Sequence, residues 1–380
     1  MRVITLGDLC DIVSGGTPAR SNPEFWNGGT IPWIKIGNIK QKYVNEADEF
    51  ITQAGLDGSS AKMLRKGTLL YTIFATLGDV GILNIDACTN QAIAGITIKD
   101  TKTVLPEYLY YYLHSKKKYV NDIGRGVAQN NINMTILRSF KVPLPEVSEQ
   151  KTIVELLDRV AQIINARQQQ VAALDDLIKA RFVELFGEPE YNTKSWPVYS
   201  LDKLCEVGSS KRIYQNEQSV TGVPFWRVSD LVSRMETGSA DSGLYIPDEK
   251  FEELKQAGLV PTAGDILVTS RGTLGRCYII KKEDRFYFQD GMISWLSHYT
   301  HGITPLYLQF LFSMPGFRKQ IDNMQAGSTV AYLSIGMLKK LRVMVPSEEM
   351  QKAFASFISQ VDKSKFATLV FIHFCKKAAN

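Results

Sequence analysis

The amino-acid sequence predicts a mixed α/β protein with a pseudo-twofold internal repeat, in which two similar globular domains are separated by two long antiparallel coiled-coil helices. Three observations lead to this fold class. The second half of the chain repeats the first at low identity, short β-rich runs alternate with glycine turns in each repeat, and each repeat ends in apolar residues spaced three and four apart.

The internal repeat extends over almost the whole chain. Counterparts keep their order, and their offset stays between 192 and 201 residues. A duplicated polypeptide imitates a symmetric dimer and presents two similar surfaces, so we expect a function that needs two sites. The matching segments, named first for the first repeat, are Cys10 and Cys205, Ile31-Pro32-Trp33 and Val223-Pro224-Phe225, Thr76-Leu77-Gly78 and Thr273-Leu274-Gly275, Pro106 and Pro305, and Pro145 and Pro346.

Each repeat begins with a compact α/β domain, because β-rich runs such as residues 68–74 and 265–269 alternate with glycine turns. A long helix follows each domain, and Gly187 with Pro189 ends the first of these helices. The predicted boundaries are residues 1–146 for the first domain, 147–187 for the first spacer helix, 188–197 for a linker, 198–346 for the second domain and 347–380 for the second spacer helix.

The first long helix is predicted from Ser148, as its N-cap, to Phe186, and the second from its N-cap Ser347, with the apolar pattern restarting at Phe354 and continuing through Ile372. Apolar residues at alternating spacings of four and three make a stripe along one helix face. We expect the two stripes to pack as an antiparallel pair with one domain at each end, where the first helix spans about 50 Å. The first stripe consists of Ile153, Leu157, Val160, Ile164, Val171, Leu174, Ile178 and Leu185.

Composition restricts the class of protein. The chain has 380 residues, of which 44% are hydrophobic and 22% charged, which is enough for two ordinary cores. Its formal net charge of +5 permits a nucleic-acid partner without establishing one. No apolar stretch reaches the ~20 residues that span a bilayer and the first residues do not resemble a signal peptide, so we expect a cytoplasmic protein without a membrane partner. The five widely spaced cysteines are expected to be reduced thiols.

Several landmarks along the chain resemble the specificity subunit of type I restriction and modification systems. They are Leu6-Gly7-Asp8, Ser14-Gly15-Gly16-Thr17-Pro18, Phe25-Trp26-Asn27-Gly28-Gly29, Thr89-Asn90-Gln91, and the exit Val142-Pro143-Leu144-Pro145 into Glu149-Gln150-Lys151. The resemblance covers the chain nearly end to end. It implies two target recognition domains on a helical pair, each reading one half of an asymmetric, bipartite double-stranded DNA target whose gap is set by the helical spacer.

The same resemblance implies partner chains that carry the chemistry. Two modification (methyltransferase) subunits and restriction or translocase subunits would assemble on this chain, which would itself be non-catalytic. Adenine-N6 DNA methylation and ATP-dependent DNA cleavage would then be activities of the partners. Their cofactors would be S-adenosylmethionine, ATP and Mg, and we expect neither a cofactor nor a metal in this chain.

Candidate DNA-binding residues are cations, which suit phosphates, and forked or amide side chains, which suit base edges, on or near glycine loops. A solvated surface is the common alternative for any one of them, above all for the lysine run 116–118. The candidates in the first domain are Thr17, Lys35, Asn90, Gln91, Lys117, Arg125, Gln129, Asn130 and Asn131. Those in the second domain are Lys211, Arg212, Arg227, Arg271, Thr273, Arg276, Gln289, Ser328 and Thr329.

The sequence leaves two alternative functions open. One is a self-sufficient DNA methyltransferase or nuclease with degenerate motifs, and the other is a protein-interaction scaffold without a DNA role. The segment Asn22-Pro23-Glu24-Phe25 approaches an adenine-methyltransferase loop, but no glycine-rich cofactor loop accompanies it, and we interpret it as a turn. Asp248 and Glu253 are too close in sequence for a nuclease carboxylate pair on a strand and its return, and they suit a charged helix start. His298 and His301 lack further ligands nearby for a metal.

Overall fold

The computed structural model describes residues 2–124, 131–325 and 331–379. The chain divides into two compact units, Met1–Arg167 with Ile372–Asn380, and Gln168–Phe371. Each unit is a mixed α/β domain together with parts of the two long helices. The fold class predicted from the sequence is therefore confirmed.

The first domain alternates short strands and short helices. A buried core forms where apolar residues of its largest sheet, such as Leu69, Tyr71 and Ile96, pack against helices that include Leu109 and Leu137. Its elements are β1 (Arg2–Thr5), α1 (Leu6–Leu9), β2 (Cys10–Ser14), β3 (Ile31–Ile34), β4 (Tyr43–Val44), β5 (Glu49–Ile51), α2 (Gln53–Asp57), β6 (Leu69–Thr72), β7 (Val80–Leu83), β8 (Cys88–Thr89), β9 (Ile93–Ile98), α3 (Pro106–Ser115), α4 (Lys117–Gly124), α5 (Met134–Arg138) and β10 (Lys141–Leu144).

Three sheets organise the first domain. The largest has the strand order β2-β9-β6-β7-β4, a second has the order β5-β3-β8, and β1 pairs with β10. In the largest sheet β9 runs antiparallel to both β2 and β6. The buried strand β6 is flanked on both sides, which explains its continuous apolar run and the burial of all four of its residues.

The second domain repeats this plan with one substitution. Its sheets have the orders β12-β18-β15-β16, β14-β13-β17 and β11-β19, and a helix, α8, lies in the stretch where the first domain has β4. Its elements are β11 (Val198–Ser200), α7 (Leu201–Leu204), β12 (Glu206–Gly208), β13 (Val223–Trp226), α8 (Val228–Thr237), β14 (Tyr245–Ile246), α9 (Asp248–Gln256), β15 (Ile266–Thr269), β16 (Cys277–Ile279), β17 (Tyr287–Phe288), β18 (Ile293–Ser297), α10 (Pro305–Ser313), α11 (Pro315–Asn323), α12 (Ile335–Lys340) and β19 (Arg342–Met344).

The two long helices are α6 (Val147–Phe186) and α13 (Glu348–Ala379). Within residues 168–371, Phe182 and Phe186 lie against Phe354, with ring centroids 5.5 and 5.3 Å apart, and Asp175 forms an ion pair with Lys365. Residue numbers fall along one helix as they rise along the other. The predicted antiparallel pairing is therefore confirmed for this stretch.

The two predicted N-caps have different outcomes. Ser347 precedes α13, and its hydroxyl accepts a hydrogen bond from the Met350 N–H at 3.4 Å, so this N-cap is confirmed. The prediction for Ser148 was wrong, because α6 begins one residue earlier and the Gln150 N–H already bonds to the Glu146 carbonyl at 3.0 Å. Ser148 is already inside the helix, where its carbonyl accepts from the Thr152 hydroxyl at 3.1 Å.

Each long helix is attached to its preceding domain by a buried glutamine at an equivalent position. Gln150 is fully buried, and its amide donates to the carbonyls of Thr103 and Pro145, at 2.8 and 2.9 Å, and accepts from the Leu105 N–H at 3.0 Å. These bonds join α6 to the loop before α3 and to the exit of β10, so the side chain clamps three segments together.

Gln351 forms the same clamp in the second domain. Its amide donates to the carbonyls of Gly302 and Pro346, at 3.1 and 3.0 Å, and its oxygen accepts from the Thr304 N–H at 2.9 Å and from the Thr304 hydroxyl at 2.8 Å. A buried amide with all its hydrogen bonds formed stabilises the fold. If the amide is removed, its former partners stay buried without hydrogen bonds, which costs free energy.

Replacing Gln351 by Leu should lower the free energy of unfolding by about 2–4 kcal/mol, because two carbonyls and one N–H are left buried without partners. Denaturant unfolding of the full chain measures this loss. The matched control is Gln168→Ala, an exposed glutamine of α6, for which the expected change is within about 0.5 kcal/mol. Equal effects of the two substitutions would contradict the clamp.

Candidate nucleic-acid interface

Strand order brings several loops of the first domain to one edge of its largest sheet. Ser14 at the end of β2 lies opposite Ala94, and Thr72 at the end of β6 lies opposite Ile93, so both strands end where β9 begins. The stretch after β2, the β6–β7 turn and the β8–β9 turn therefore meet at this edge. We call it the first loop edge, defined as residues 14–20, 35, 73–79, 90–92 and 131.

Hydrogen bonds tie the other two positions to the first loop edge. The Asn90 N–H donates to the Ile34 carbonyl at 3.1 Å, which places Lys35, at the end of β3, beside the β8–β9 turn. Asn131 forms an isolated antiparallel bridge with Phe74, which places it beside the β6–β7 turn. Five segments that are far apart in sequence thus share one edge.

The second domain has an equivalent edge. Thr269 at the end of β15 lies opposite Ile293, the Gln289 N–H donates to the Trp226 carbonyl at 2.9 Å, and Arg271 bridges to Tyr332. These are the counterparts of the contacts in the first domain. We call this the second loop edge, defined as residues 209–212, 227, 270–276, 289–292 and 332.

The predicted residues that the structure describes gather at these two edges. Five of the first-domain candidates belong to the first loop edge, and Lys117 of α4 adjoins it through an ion pair with Asp79 at 2.5 Å. The five are Thr17, Lys35, Asn90, Gln91 and Asn131. Those on the second loop edge are Lys211, Arg212, Arg227, Arg271, Thr273, Arg276 and Gln289. Arg125, Gln129, Asn130, Ser328 and Thr329 lie outside the described residues.

A pair of hydrogen-bonded side chains crosses each edge at the same place. The Thr17 hydroxyl donates to the Gln91 side-chain oxygen in the first domain. At the equivalent place in the second domain, Arg212 forms an ion pair with Asp290 at 2.9 Å. The framework is shared, and the chemistry on it differs between the domains.

Two cations of the first loop edge share one carboxylate that lies beside it, on β5. Lys35 and Arg20 both contact Glu49, each at 2.5 Å, and the Arg20 guanidinium also lies 3.7 Å from the centre of the Trp26 ring. Hydrogen bonds from Lys35, and then from Arg20, hold the pKa of Glu49 below its ordinary value of 4.5. The buried Trp33 supports the cluster, since its indole N–H donates to the Gly16 carbonyl at 2.9 Å.

Sequence reasoning missed Arg20 and Phe74 of the first loop edge and Arg318 beside the second. Only the contacts of Arg20 with the Trp26 ring and with the Glu49 carboxylate place it in the site, and Glu49 is distant in sequence. Arg318 adjoins the second loop edge, where its guanidinium donates to the Leu274 carbonyl at 3.0 Å. It is the counterpart of Lys117, because both lie against the glycine that ends the respective turn, Gly275 and Gly78. The Thr-Leu-Gly repeat was the signal that could have located it.

Most cations of the second loop edge have a carboxylate partner. Arg227 contacts Asp230 at 3.4 Å and Arg276 contacts Glu236 at 2.7 Å, in addition to the Arg212 pair. Lys211 and Arg271 form no ion pair with any residue that the structure describes. Both are exposed, so these two are the cations most available to an external anion.

The segments that suggested an enzyme have structural roles. Pro23–Phe25 is a short 3-10 turn in which the Asn22 side chain accepts from the Glu24 N–H at 3.1 Å, so its interpretation as a turn is confirmed. Asp248 begins the helix α9, as expected for a charged helix start. His298 lies 3.2 Å from Glu206, and no group of three or more potential metal ligands occurs among the described residues.

The described part of the chain contains no helix that is both long and apolar enough to cross a membrane. Cys10 and Cys205, at equivalent positions, are buried free thiols, and burial raises the pKa of each to about 12. Such thiols stay protonated and behave as small apolar side chains.

The fold and the two loop edges define a class: a duplicated two-domain protein with a candidate nucleic-acid interface in each domain. The sequence model of the type I restriction modification DNA specificity domain matches this chain twice, over residues 1–173 and 193–369. The chain belongs to this family. DNA specificity, and not catalysis, is what the family is defined by, and this favours the DNA-reading interpretation over both alternatives.

Individual relatives agree with the family. The chain is 26% identical over 376 residues to the specificity subunit of the type I restriction enzyme MjaIX of Methanocaldococcus jannaschii, covering 92% of this chain and 84% of that protein. It is 27% identical over 168 residues to the specificity subunit of the type I restriction enzymes EcoR124I/EcoR124II of Escherichia coli, covering 43% of this chain and 41% of that protein.

Solved structures show the same fold. The S subunit of a type I restriction-modification system from M. genitalium is similar with a TM-score of 0.51 and 15% identity, covering 100% of this chain and 93% of that chain. A chain from work on complex assembly and conformational transition of the type I R-M system has a TM-score of 0.62 and 15% identity, covering 100% and 95%. The predicted resemblance to specificity subunits is confirmed.

Replacing Glu49 by Gln should weaken the dependence of folding stability on pH in the acid range. The pKa of Glu49 is lower in the folded chain than its ordinary value of 4.5, so the folded state binds fewer protons. Its stabilisation is complete above the unfolded pKa and is lost as the pH falls through the folded pKa.

Denaturant unfolding at several pH values from about 3 to 7 compares wild type with Glu49→Gln. Glu46→Gln, which removes an exposed carboxylate nearby, corrects for the loss of one surface charge. If Glu49→Gln retained the full acid sensitivity of the wild-type chain, the ion-pair cluster would not be the cause.

Proposed function

We propose that each domain of this specificity subunit reads one half of a split, asymmetric DNA target with its loop edge. The observation that carries the proposal is the convergence, in each domain, of cations, amides and glycine turns on one edge of the largest sheet. Cations suit DNA phosphates, and forked or amide side chains suit base edges in the major groove.

Different half-sites are expected because equivalent positions carry different groups. Thr17 with Gln91 presents a hydroxyl and an amide where Arg212 with Asp290 presents an ion pair. Lys35 of the first edge corresponds to Arg227 of the second. Hydrogen-bonding patterns of base pairs are distinct in the major groove, so edges that differ in donors and acceptors would select different bases.

We further propose that α6 and α13 set the gap between the two half-sites. A continuous helix is a stiff element, and its length is fixed by its residue count at about 1.5 Å per residue. The aromatic contacts of Phe182 and Phe186 with Phe354 support the stiffness of the paired stretch. The number of unread base pairs would then follow the number of helical turns.

The partner chains are also a proposal. Two modification subunits, with restriction or translocase subunits, would dock on the long helices and bring S-adenosylmethionine, ATP and Mg, and the complex would act in the cytoplasm. The exposed apolar side chains on α6 and α13 support protein partners, because a helix that exposes large apolar groups on its outer face has surface to cover. They include Leu156, Ile163, Leu177, Phe366, Leu369 and Phe374.

Replacing Lys211 by Gln should weaken duplex binding by the assembled complex and lower the slope of log affinity against log salt by about 1, because one phosphate contact is lost. The measurement is the dissociation constant for labelled duplex DNA at several salt concentrations. Lys203→Gln is the control. Lys203 is an exposed lysine of α7, which precedes the start of β12, whereas Lys211 follows the end of that strand. Matching slopes for the two variants would remove Lys211 from the interface.

Inserting four residues between Ile164 and Val171, and four in α13 beyond Lys365, should lengthen the gap of the recognised site by one or two base pairs. Four helical residues add about 6 Å, and each base pair of duplex DNA occupies about 3.4 Å. Mapping of methylated adenines in cells that express the chain with its modification subunit reports the gap.

The control for the insertion keeps the helix length and changes only its surface, with Gln168 and Gln169 both replaced by Ala. Both side chains are exposed on α6, so this variant should keep the wild-type gap. A gap that is unchanged in the insertion variant, with methylation retained, would overturn the spacer role.

A further inference from the structure

The turns that follow β6 and β15 share one backbone framework and differ at one exposed position. The Thr72 hydroxyl accepts from the Asp79 N–H at 2.8 Å and donates to the carbonyl of Thr76. In the second domain the Thr269 hydroxyl accepts from the Arg276 N–H at 2.9 Å and donates to the carbonyl of Thr273. Each turn is therefore held by its own buried threonine.

The exposed position is occupied by Phe74 in the first turn and by Arg271 in the second. They are equivalent because Phe74 bridges to Asn131 and Arg271 bridges to Tyr332, and because the next backbone groups bond alike: the Ile132 N–H to the Ile73 carbonyl and the Leu333 N–H to the Ser270 carbonyl. A constant framework thus presents two side chains of very different chemistry.

The residue after this position has left-handed backbone conformation in both turns. Gly272 has a φ of 70°, which glycine adopts at little cost, whereas Ala75 has a φ of 60°, which is unfavourable for a residue with a Cβ. Left-handed backbone at a non-glycine residue persists where the surroundings impose it, and it concentrates at ligand-binding sites. The first turn keeps its shape although its sequence does not favour that shape.

Both side chains are available to an external ligand. Phe74 is 40% exposed. The guanidinium of Arg271 lies 5.2 Å from the centre of the Tyr332 ring and has no carboxylate partner among the described residues. A Cβ placed on Gly272 would meet nothing within 4 Å, so the space beside Arg271 is open.

We propose that Phe74 and Arg271 are equivalent specificity-determining residues, each selecting a base of the half-site that its own domain reads. The forked guanidinium of Arg271 matches the O6 and N7 acceptors of guanine in the major groove, and Phe74 matches the methyl group of thymine. This inference rests on the proposed function of the loop edges. It adds which residue acts in each domain and which base each selects.

The test maps methylated adenines in cells that express the chain, or a variant, together with its modification subunit. In Arg271→Ala one guanine position of one half-site should accept other bases, with at least about a tenfold loss of preference for guanine. The other half-site should be unchanged. Arg271→Lys should keep only part of the preference for guanine, because an ammonium can donate to O6 and N7 but lacks the fixed fork. Phe74→Ala should relax a thymine position in the opposite half-site.

The control is Arg342→Ala, which removes an exposed arginine from β19 of the same domain and should leave both half-sites unchanged. An unaltered motif in Arg271→Ala would overturn the inference. So would methylation that falls evenly at all sites in Arg271→Ala with the preference for guanine retained, because uniform weakening marks a phosphate contact. Relaxation of the same half-site by the Phe74 and Arg271 variants would also overturn it. The proposed function fails separately if the wild-type chain yields no split motif.

Discussion

One buried amide hydrogen-bonds the start of each long helix to its domain. Gln150 and Gln351 each bond to two carbonyls and at least one N–H donor from the neighbouring loop and strand exit. An amide with both ends satisfied fixes the direction in which the backbone leaves the domain, which apolar packing alone specifies less strictly. The loop edge of each domain therefore has a defined orientation to the helix that begins there. A protein that contacts two half-sites at a fixed separation, as we propose, needs each helix to leave its domain in a fixed direction.

The duplicated domains separate a constant framework from variable contacts. Threonines that close a turn, glycines that end it and glutamines that hold a helix occur in both repeats, and all of them bond to backbone atoms. The residues that differ at equivalent positions, such as Phe74 and Arg271, are exposed at the loop edges. Because the framework bonds do not involve these side chains, new contacts could arise in one domain without altering its fold.

Much of the fold could be predicted from the sequence, because its signals are local or repeated. The helical periodicity located α6 and α13, and the glycine turns predicted between β-rich runs agree with the β6–β7 and β15–β16 turns. The N-cap at Ser148 was wrong because α6 begins at Val147 and its first helical bond already reaches the Glu146 carbonyl. Strand order was beyond sequence reasoning, since β9 lies between β2 and β6 through pairings that are remote along the chain.

The candidate site was predictable by residue type but not by arrangement. Cations and amides on glycine loops were found, and the described ones gather at two edges. Whether a cation is free or paired depends on distant partners, such as Asp79 for Lys117 and Glu49 for Arg20. Phe74 was missed because a search for polar groups passes over an apolar side chain, and only its equivalence to Arg271 identifies it.

The most direct measurement is a genome-wide map of methylated adenines in cells that express the wild-type chain with a modification subunit of the same system. The account predicts one motif of two short, different half-sites separated by a fixed number of unread base pairs. A single continuous motif, or no motif from an assembled and active complex, would contradict the central claim that two loop edges read two halves of one target.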